Sequence, residues 1–326
     1  MSSPSLIDPF GPDAAGGPAA GSVWLKGNLH AHTTESDGHV EPAPRVAQYR
    51  ERGYDFLCLS DHHRITRVSG VPVPEGMTLI QGAEIHPDNP FGGQGYHLLA
   101  YNMTDDVDAQ RMPPQHVIDA VREQGGSVWL AHPHWSGINV RRDVMPLTGL
   151  AGIEVFNTIC QRMGRGEAGV IWDDWMDHAG HPLPAIANDD CHGNPAHGDD
   201  LFQGWSMVRA ADRSPQAIVA ALERGASYCT TGPEIRSLRV TRPAKPEAAD
   251  WPYTLEVSCS PALRVTAVCS QRGVDYPLGP TDSAHPFEHA VLHLRESDWV
   301  RVEVLDTHGR KAWSNPIDLT GLGAAG

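Results

Sequence analysis

Residues 23–32 read VWLKGNLHAH, an apolar run that ends on a His-x-His pair. Side chains in an extended chain alternate faces, so His30 and His32 point to one side. The same arrangement recurs downstream. DFLCLS (55–60) leads to His62, TLIQGAEI (78–85) carries Glu84 near its end, and SVWLAH (127–132) closes on His132. LPAIAND (183–189) runs into a second spaced pair, Asp190-x-His192, and Asp37 follows the first run in its loop. His97 is the exception, near the start of its run YHLLAYN (96–102). GIEVFN (152–157) and GWSMVRA (204–210) bring the predicted strands of this half to about seven or eight.

Between these runs lie segments of helical spacing. AQYRERG (47–53) and PQHVIDAVREQGG (114–126) each end near Gly, as helix C-termini often do. Short apolar runs alternating with helices predict successive βα units around a parallel sheet. An α/β fold in which these units close as a βα barrel over residues 23–232 is therefore expected. In such a barrel the C-terminal strand ends share one rim, where the site forms. After the helical SPQAIVAALERG (214–225) the chain turns β-rich, with SLRVT, YTLEVSC, LRVTAVCS, AVLHLR and WVRVEVLD. Residues 233–326 are expected to form a small C-terminal β-sandwich. Residues 1–22, rich in Pro, Gly and Ala, are expected to be a flexible tail without signal-peptide character.

On a barrel rim, His30, His32, Asp37, His62, Glu84, His97, His132, Asp190 and His192 converge. Nine donors exceed one tetrahedral ion and suit two or three divalent ions sharing a carboxylate. Nitrogen and oxygen donors without thiolate favour Zn, Mn or Fe. The expected catalytic group is a metal-bound water held by His30, His32, Asp190 and His192. Arg64, His134 and Arg162 are candidates for substrate binding, with solvated loop positions as the alternative. His63, His86 and His197 lie near the ligand runs and read as supporting or exposed residues. Glu154 either lines the site from the sixth strand or forms a structural ion pair. Asp61, beside His62, reads as a residue that supports the ligands.

Composition narrows the function classes. The 326 residues carry a formal charge of −15, which disfavours tracking a phosphate polymer and favours a small-molecule ester. The six cysteines, Cys58, Cys160, Cys191, Cys229, Cys259 and Cys269, contain no C-x-x-C pair and fit a reducing, cytoplasmic setting. No apolar run approaches the roughly 20 residues that span a bilayer, so no membrane partner is expected.

The ordered motifs KGNLHAHTTESDGH, LSDHH, GAEI with YHLLAY, AHPH and NDDCHG resemble those of the polymerase-and-histidinol-phosphatase (PHP) family. The resemblance covers roughly residues 23–232. SYCTTGPEI, followed by a β-rich module ending in AWSNPI, resembles the subgroup of carbaryl-type ester hydrolases. It implies a distorted seven-stranded, TIM-like βα barrel, a di- or trinuclear site on the nine residues named, and phosphoester hydrolysis. Asn28 stands where the family often has Asp, and Asp189 and Cys191 flank Asp190 where Ser and a small residue are commoner. Two alternatives accompany this expectation. The same site suits a carboxylic or carbamate ester, favoured by an aromatic pocket from Trp135, Phe156 or Trp172. A non-catalytic metal- or partner-binding module is the other.

Overall fold

The computed structural model describes residues 5–10, 21–90, 95–109, 111–243, 246, 250–270 and 285–322. In chain order the strands of the first half are β1 (Ser5–Ile7), β2 (Val23–Asn28), β3 (Phe56–Leu59), β4 (Thr78–Ile85) and β5 (Leu98–Tyr101). They continue with β6 (Ser127–Leu130), β7 (Gly152–Asn157), β8 (Ala185–Asn188), β9 (Trp205–Ala210) and β10 (Ser227–Thr230). The second half adds β11 (Ile235–Arg242), β12 (Tyr253–Cys269), β13 (Phe287–Leu294), β14 (Trp299–Asp306), β15 (Lys311–Ser314) and β16 (Ile317–Asp318). The helices are α1 (Pro42–Glu51), α2 (Pro114–Glu123), the single turns α3 (Pro133–Ser136) and α4 (Thr158–Gln161), α5 (Gly169–Ala179) and α6 (Pro215–Glu223).

Each apolar run of the first half does form a strand, but they do not close into a TIM-like barrel. The strands lie in one large, open, mixed sheet ordered β1-β11-β12-β14-β15-β10-β9-β2-β3-β4-β5-β6-β7-β8. Two causes are visible. First, β5 runs antiparallel to both β4 and β6. A parallel return needs a crossover, usually a helix, and the described part of the β4–β5 connection contains none. Second, β9 runs antiparallel to β2, and no ladder joins β8 to β9. There the Ser206 hydroxyl takes the place of a backbone partner, accepting from the Ala187 N–H at 3.0 Å. Beyond the strand ends, β2 and β8 meet at one isolated parallel bridge, Ala31↔Cys191.

The expected separate β-sandwich is corrected as well. Its strands continue the same sheet, because β15 pairs antiparallel with both β14 and β10. The long strand β12 bends where its register shifts between Ser258 and Ala262. Pro261, which has no N–H for a ladder, stands in that bend. The half before it pairs with β11 and β13 and the half after it with β14. Its alternating burial packs Leu255, Val257, Val265 and Ala267 against Leu238, Val302 and Val304. Within the stretch read as a tail, Ser5–Ile7 pairs with β11, and Phe10 packs edge-on to Trp24 and Tyr228.

Helices cover the first-half sheet by simple amphipathicity. Buried Val117, Ile118 and Val121 of α2 share one face, and they join the cluster that includes Val128 and Leu130 of β6. Each such burial contributes about 2 kcal/mol. Helix α6 adds Ile218 and Leu222 to a second cluster with Leu25, Phe56, Ile80 and Trp129. Among the described residues no helix is long and apolar enough to cross a membrane. All six cysteines are buried.

Candidate metal centre

The nine sequence-nominated residues come together where β2, β3, β4, β6 and β8 end and β5 begins. Glu84 is the centre. Its Oε2 lies 3.2 Å from His30 Nε2, 3.3 Å from His32 Nε2 and 3.1 Å from His62 Nδ1. Its Oε1 lies 2.6 Å from His97 Nδ1, 3.2 Å from His132 Nε2 and 3.5 Å from His86 Nε2. Asp190 Oδ1 stands 3.1 Å from His30 Nε2 and 3.0 Å from His32 Nε2. Asp37 reaches His62 Nε2 and His192 Nε2, both at 3.4 Å.

His97 arrives because its strand is reversed. The register Ile85↔Leu98 puts the start of β5 against the end of β4, so a residue just before β5 sits at the same edge as one just after β4. The H-x-H and D-x-H loops are laced together: His32 N–H donates to Cys191 O, and Asp190 N–H donates to His30 O, both at 2.9 Å. Asp190 and His132 adopt left-handed backbone, with φ of 56° and 20°. Such conformations cost energy in a non-glycine residue and concentrate at functional sites. Gly38, beside Asp37, approaches the backbone of His32 and Thr33 so closely that a Cβ would lie 2.6 Å from it.

The donor set fits divalent cations. A carboxylate offers about four lone-pair sites, yet six imidazole nitrogens face Glu84. His30 Nε2, His32 Nδ1, His62 Nδ1 and His86 Nε2 are buried without an acceptable hydrogen bond. Bare lone pairs crowded against carboxylates repel unless a proton or a cation lies between. Overlapping sets of donors within 4.8 Å of one another are His30/His32/Glu84/Asp190, His32/Asp37/His62/His192, Glu84/His97/His132 and His62/Glu84/His86.

Without a cation, protons carry the balance. Burial pulls the His30 imidazole down, but Asp190, Glu84 and Glu154 outweigh it and hold its pKa well above the ordinary value. His62 is pushed up to about 10 by Asp37 and Glu84 against its own desolvation. His132 and His192 are raised against the same penalty, His132 chiefly by Glu84 and His192 chiefly by Asp37. Burial disfavours charge on Glu84 and Asp190, yet the surrounding imidazoles hold both well below the usual carboxylate range. For His97 and His86 desolvation wins, and both are lowered.

Surrounding residues fix the ring orientations. Glu154, fully buried, faces His30 Nδ1 at 3.0 Å and accepts from the Asn188 and Asn157 amides and from His132 N–H. Asn157 also donates to Asp190 Oδ2 at 3.2 Å. Asn28 accepts from His30 N–H and donates to Gly204 O. Asp61 accepts from Thr33 N–H, the Thr33 hydroxyl, the Ser36 hydroxyl and the Thr66 hydroxyl, bracing the loop that carries His32 and Asp37. Asp189 turns away from the cluster and collects the N–H groups of Phe202, Gln203 and Gly204. Asn157 and Asn188 escaped sequence reasoning; a buried amide at a strand end carries no spacing signal of its own.

The three residues nominated for substrate are all exposed. Arg64 is exposed and paired with Glu35 at 2.6 Å. His134, also exposed, stands 2.8 Å from Glu167 O at the lip of a 760 Å³ pocket floored by Arg301 and Trp313. Arg162 is exposed beside Gly198. Of the three aromatics considered, Trp135 touches the cluster, edge-on to His97 and His132 with ring centres 5.5 and 5.1 Å away. Phe156 stacks on Trp313, and Trp172 is buried beneath Arg301.

No family model matches the sequence. A 5'-3' exoribonuclease of Haemophilus influenzae is 32% identical over 80 residues, 24% of this chain. The chain thus matches only 28% of that relative's length. A two-domain protein of Bacteroides vulgatus, containing a predicted PHP-like metal-dependent phosphoesterase, superposes over 92% of this chain and 97% of its own, with 17% identity and a TM-score of 0.47. A protein of Bifidobacterium adolescentis assigned as a metal-dependent phosphoesterase covers 52% of this chain and 89% of its own, with 19% identity and a TM-score of 0.38. An amidohydrolase of Chromobacterium violaceum, with bound sulfate and no metal, covers 51% and 87%, with 14% identity and a TM-score of 0.37. These superpositions are loose, so the functional argument rests on the side chains.

Proposed function

We propose that this chain is a PHP-type metal-dependent hydrolase of small phosphate mono- or diesters. The observation that carries the reading is Glu84, buried and ringed by six imidazole nitrogens within 3.5 Å, four buried ring nitrogens of the cluster having no hydrogen bond. His30, His32, Asp37, His62, Glu84, His97, His132, Asp190 and His192 would hold two or three ions, with Glu84 shared. When bound, such ions supply an activated water and a Lewis acid for the developing negative charge.

The chain's own contribution is orientation and access. Glu154 holds the His30 ring with Nε2 toward Asp190 and Glu84. His30, His32 and Glu84 are sealed from solvent, whereas the side chains of Asp37, His62 and His192 are 57%, 20% and 17% exposed. Substrate therefore approaches from the Asp37 side. The motif resemblance supports PHP chemistry, and the partial likeness to an exoribonuclease supports a phosphoester. The net charge of −15 favours a small ester over the polymer itself.

Trp135, half-buried and edge-on to His97 and His132, favours the second reading, a carboxylic or carbamate ester whose aryl group packs against that ring. The test of both is metal analysis of the purified protein together with hydrolysis of para-nitrophenyl phosphate, its bis-ester and naphthyl acetate, with Mn or Zn added. Two or three metals per chain with phosphoester turnover is the expected result. Turnover of naphthyl acetate alone, lost in Trp135→Ala, moves the assignment to carbon esters; a chain that takes up no metal overturns both.

A further inference from the structure

Among the ligand-x-His patterns of this sequence are His30-x-His32, Asp190-x-His192 and Glu84-x-His86. The third lies at the end of β4, where the two-residue period of an extended strand sends both side chains to one side. His86 is outside the nine residues already assigned, yet its Nε2 lies 3.5 Å from Glu84 Oε1. That nitrogen is buried and has no hydrogen-bond partner. Across the antiparallel β4–β5 pair, the His86 ring stacks on His97 with centres 3.6 Å apart, and it meets the His62 ring edge-on at 4.5 Å. His62, Glu84 and His86 offer donor atoms within 4.8 Å of one another.

We propose that His86 is a tenth metal ligand, donating Nε2 to an ion shared with Glu84 and His62. This rests on the metal-dependent reading above. A structural imidazole would direct its buried nitrogen at a backbone or side-chain partner; this one faces a carboxylate already crowded by five other rings. The imidazole has a definite consequence for the ion. It adds a neutral nitrogen beside Glu84, so affinity rises without further negative charge at the solvent-facing side of the cluster.

The test is metal binding by the full chain, read as Co(II) absorption titration and as metal content after dialysis, for wild type, His86→Gln, His86→Ala and the exposed-surface control His289→Ala. Far-UV circular dichroism establishes that each variant is folded. The expected result is that both His86 variants lose one binding step or weaken it at least tenfold, with an altered Co(II) spectrum, while His289→Ala matches wild type. Folded His86 variants that bind the same number of ions with wild-type affinity and spectrum overturn the tenth ligand and leave the hydrolase reading intact. A wild-type chain that binds no Co(II) overturns both.

Discussion

Glu154 Oε1 sits 3.0 Å from His30 Nδ1, and both side chains are completely buried. The carboxylate accepts a hydrogen bond from Nδ1–H and so turns Nε2 toward Glu84 and Asp190, as outer partners of metal-bound histidines do. Glu154→Gln keeps the shape but puts an amide among the donors of Asn157, Asn188 and His132. Metal affinity should fall about 10–100-fold, measured by competition with a chromogenic chelator. Unchanged affinity would reduce Glu154 to a packing residue.

Metal uptake should be linked to protons, with a definite sign. His30, His62, His132 and His192 are raised above the ordinary imidazole value, His62 to about 10. In the metal-free protein a raised imidazole contributes stability that is fully present below the unfolded pKa of about 6.5, and loses it as pH climbs through the folded pKa. Metals need those same nitrogens deprotonated, so their binding strengthens over the same range. The gap in Tm between metal-loaded and metal-free protein should therefore widen from pH 6 toward pH 10, and calorimetry in buffers of different ionisation enthalpy should show proton release. A gap that stays flat, with no proton release, would mean that these rings do not exchange protons for metal.

What the sequence revealed of this site follows from what a period can encode. His30, His32, Asp190 and His192 were legible because a two-residue spacing at a strand end fixes both place and facing. His97 was legible only as a residue type. Its arrival at the cluster depends on the direction of β5, which an apolar run such as YHLLAYN does not carry. Closure was misread for a related reason: strand runs show that β8 and β9 exist, but not that a Ser206 hydroxyl stands between their backbones in place of a ladder. Alternation in YTLEVSC and LRVTAVCS announced strands, while the β15–β10 pairing that merges them with the first half joins residues 82–86 positions apart along the chain. His86 read only as a supporting or exposed residue because the Glu84-x-His86 spacing does not show that the end of β4 meets His97, on which the His86 ring stacks.

That merging makes a claim about stability. Arg301 on β14 is 2% exposed, forks onto Asp173 of α5 with two 2.7 Å bonds, and also pairs with Glu303. Its guanidinium lies over the Trp172 ring at 4.9 Å. The pair thus ties a first-half helix to a second-half strand. Asp173 needs it, because burial outweighs Arg301 and keeps its carboxyl above the ordinary range. Arg301→Ala would leave that acid without its fork and open a hole against Trp172. Removing one partner of a buried ion pair costs about 3–5 kcal/mol, and the partial exposure of Asp173 argues for the lower end. If the two halves share one cooperative sheet, as the β10–β15 pairing implies, calorimetry of the variant should show a single transition moved to lower temperature. Two resolved transitions, with only the one assigned to the C-terminal strands displaced, would show that the halves melt independently and that the shared sheet does not couple them.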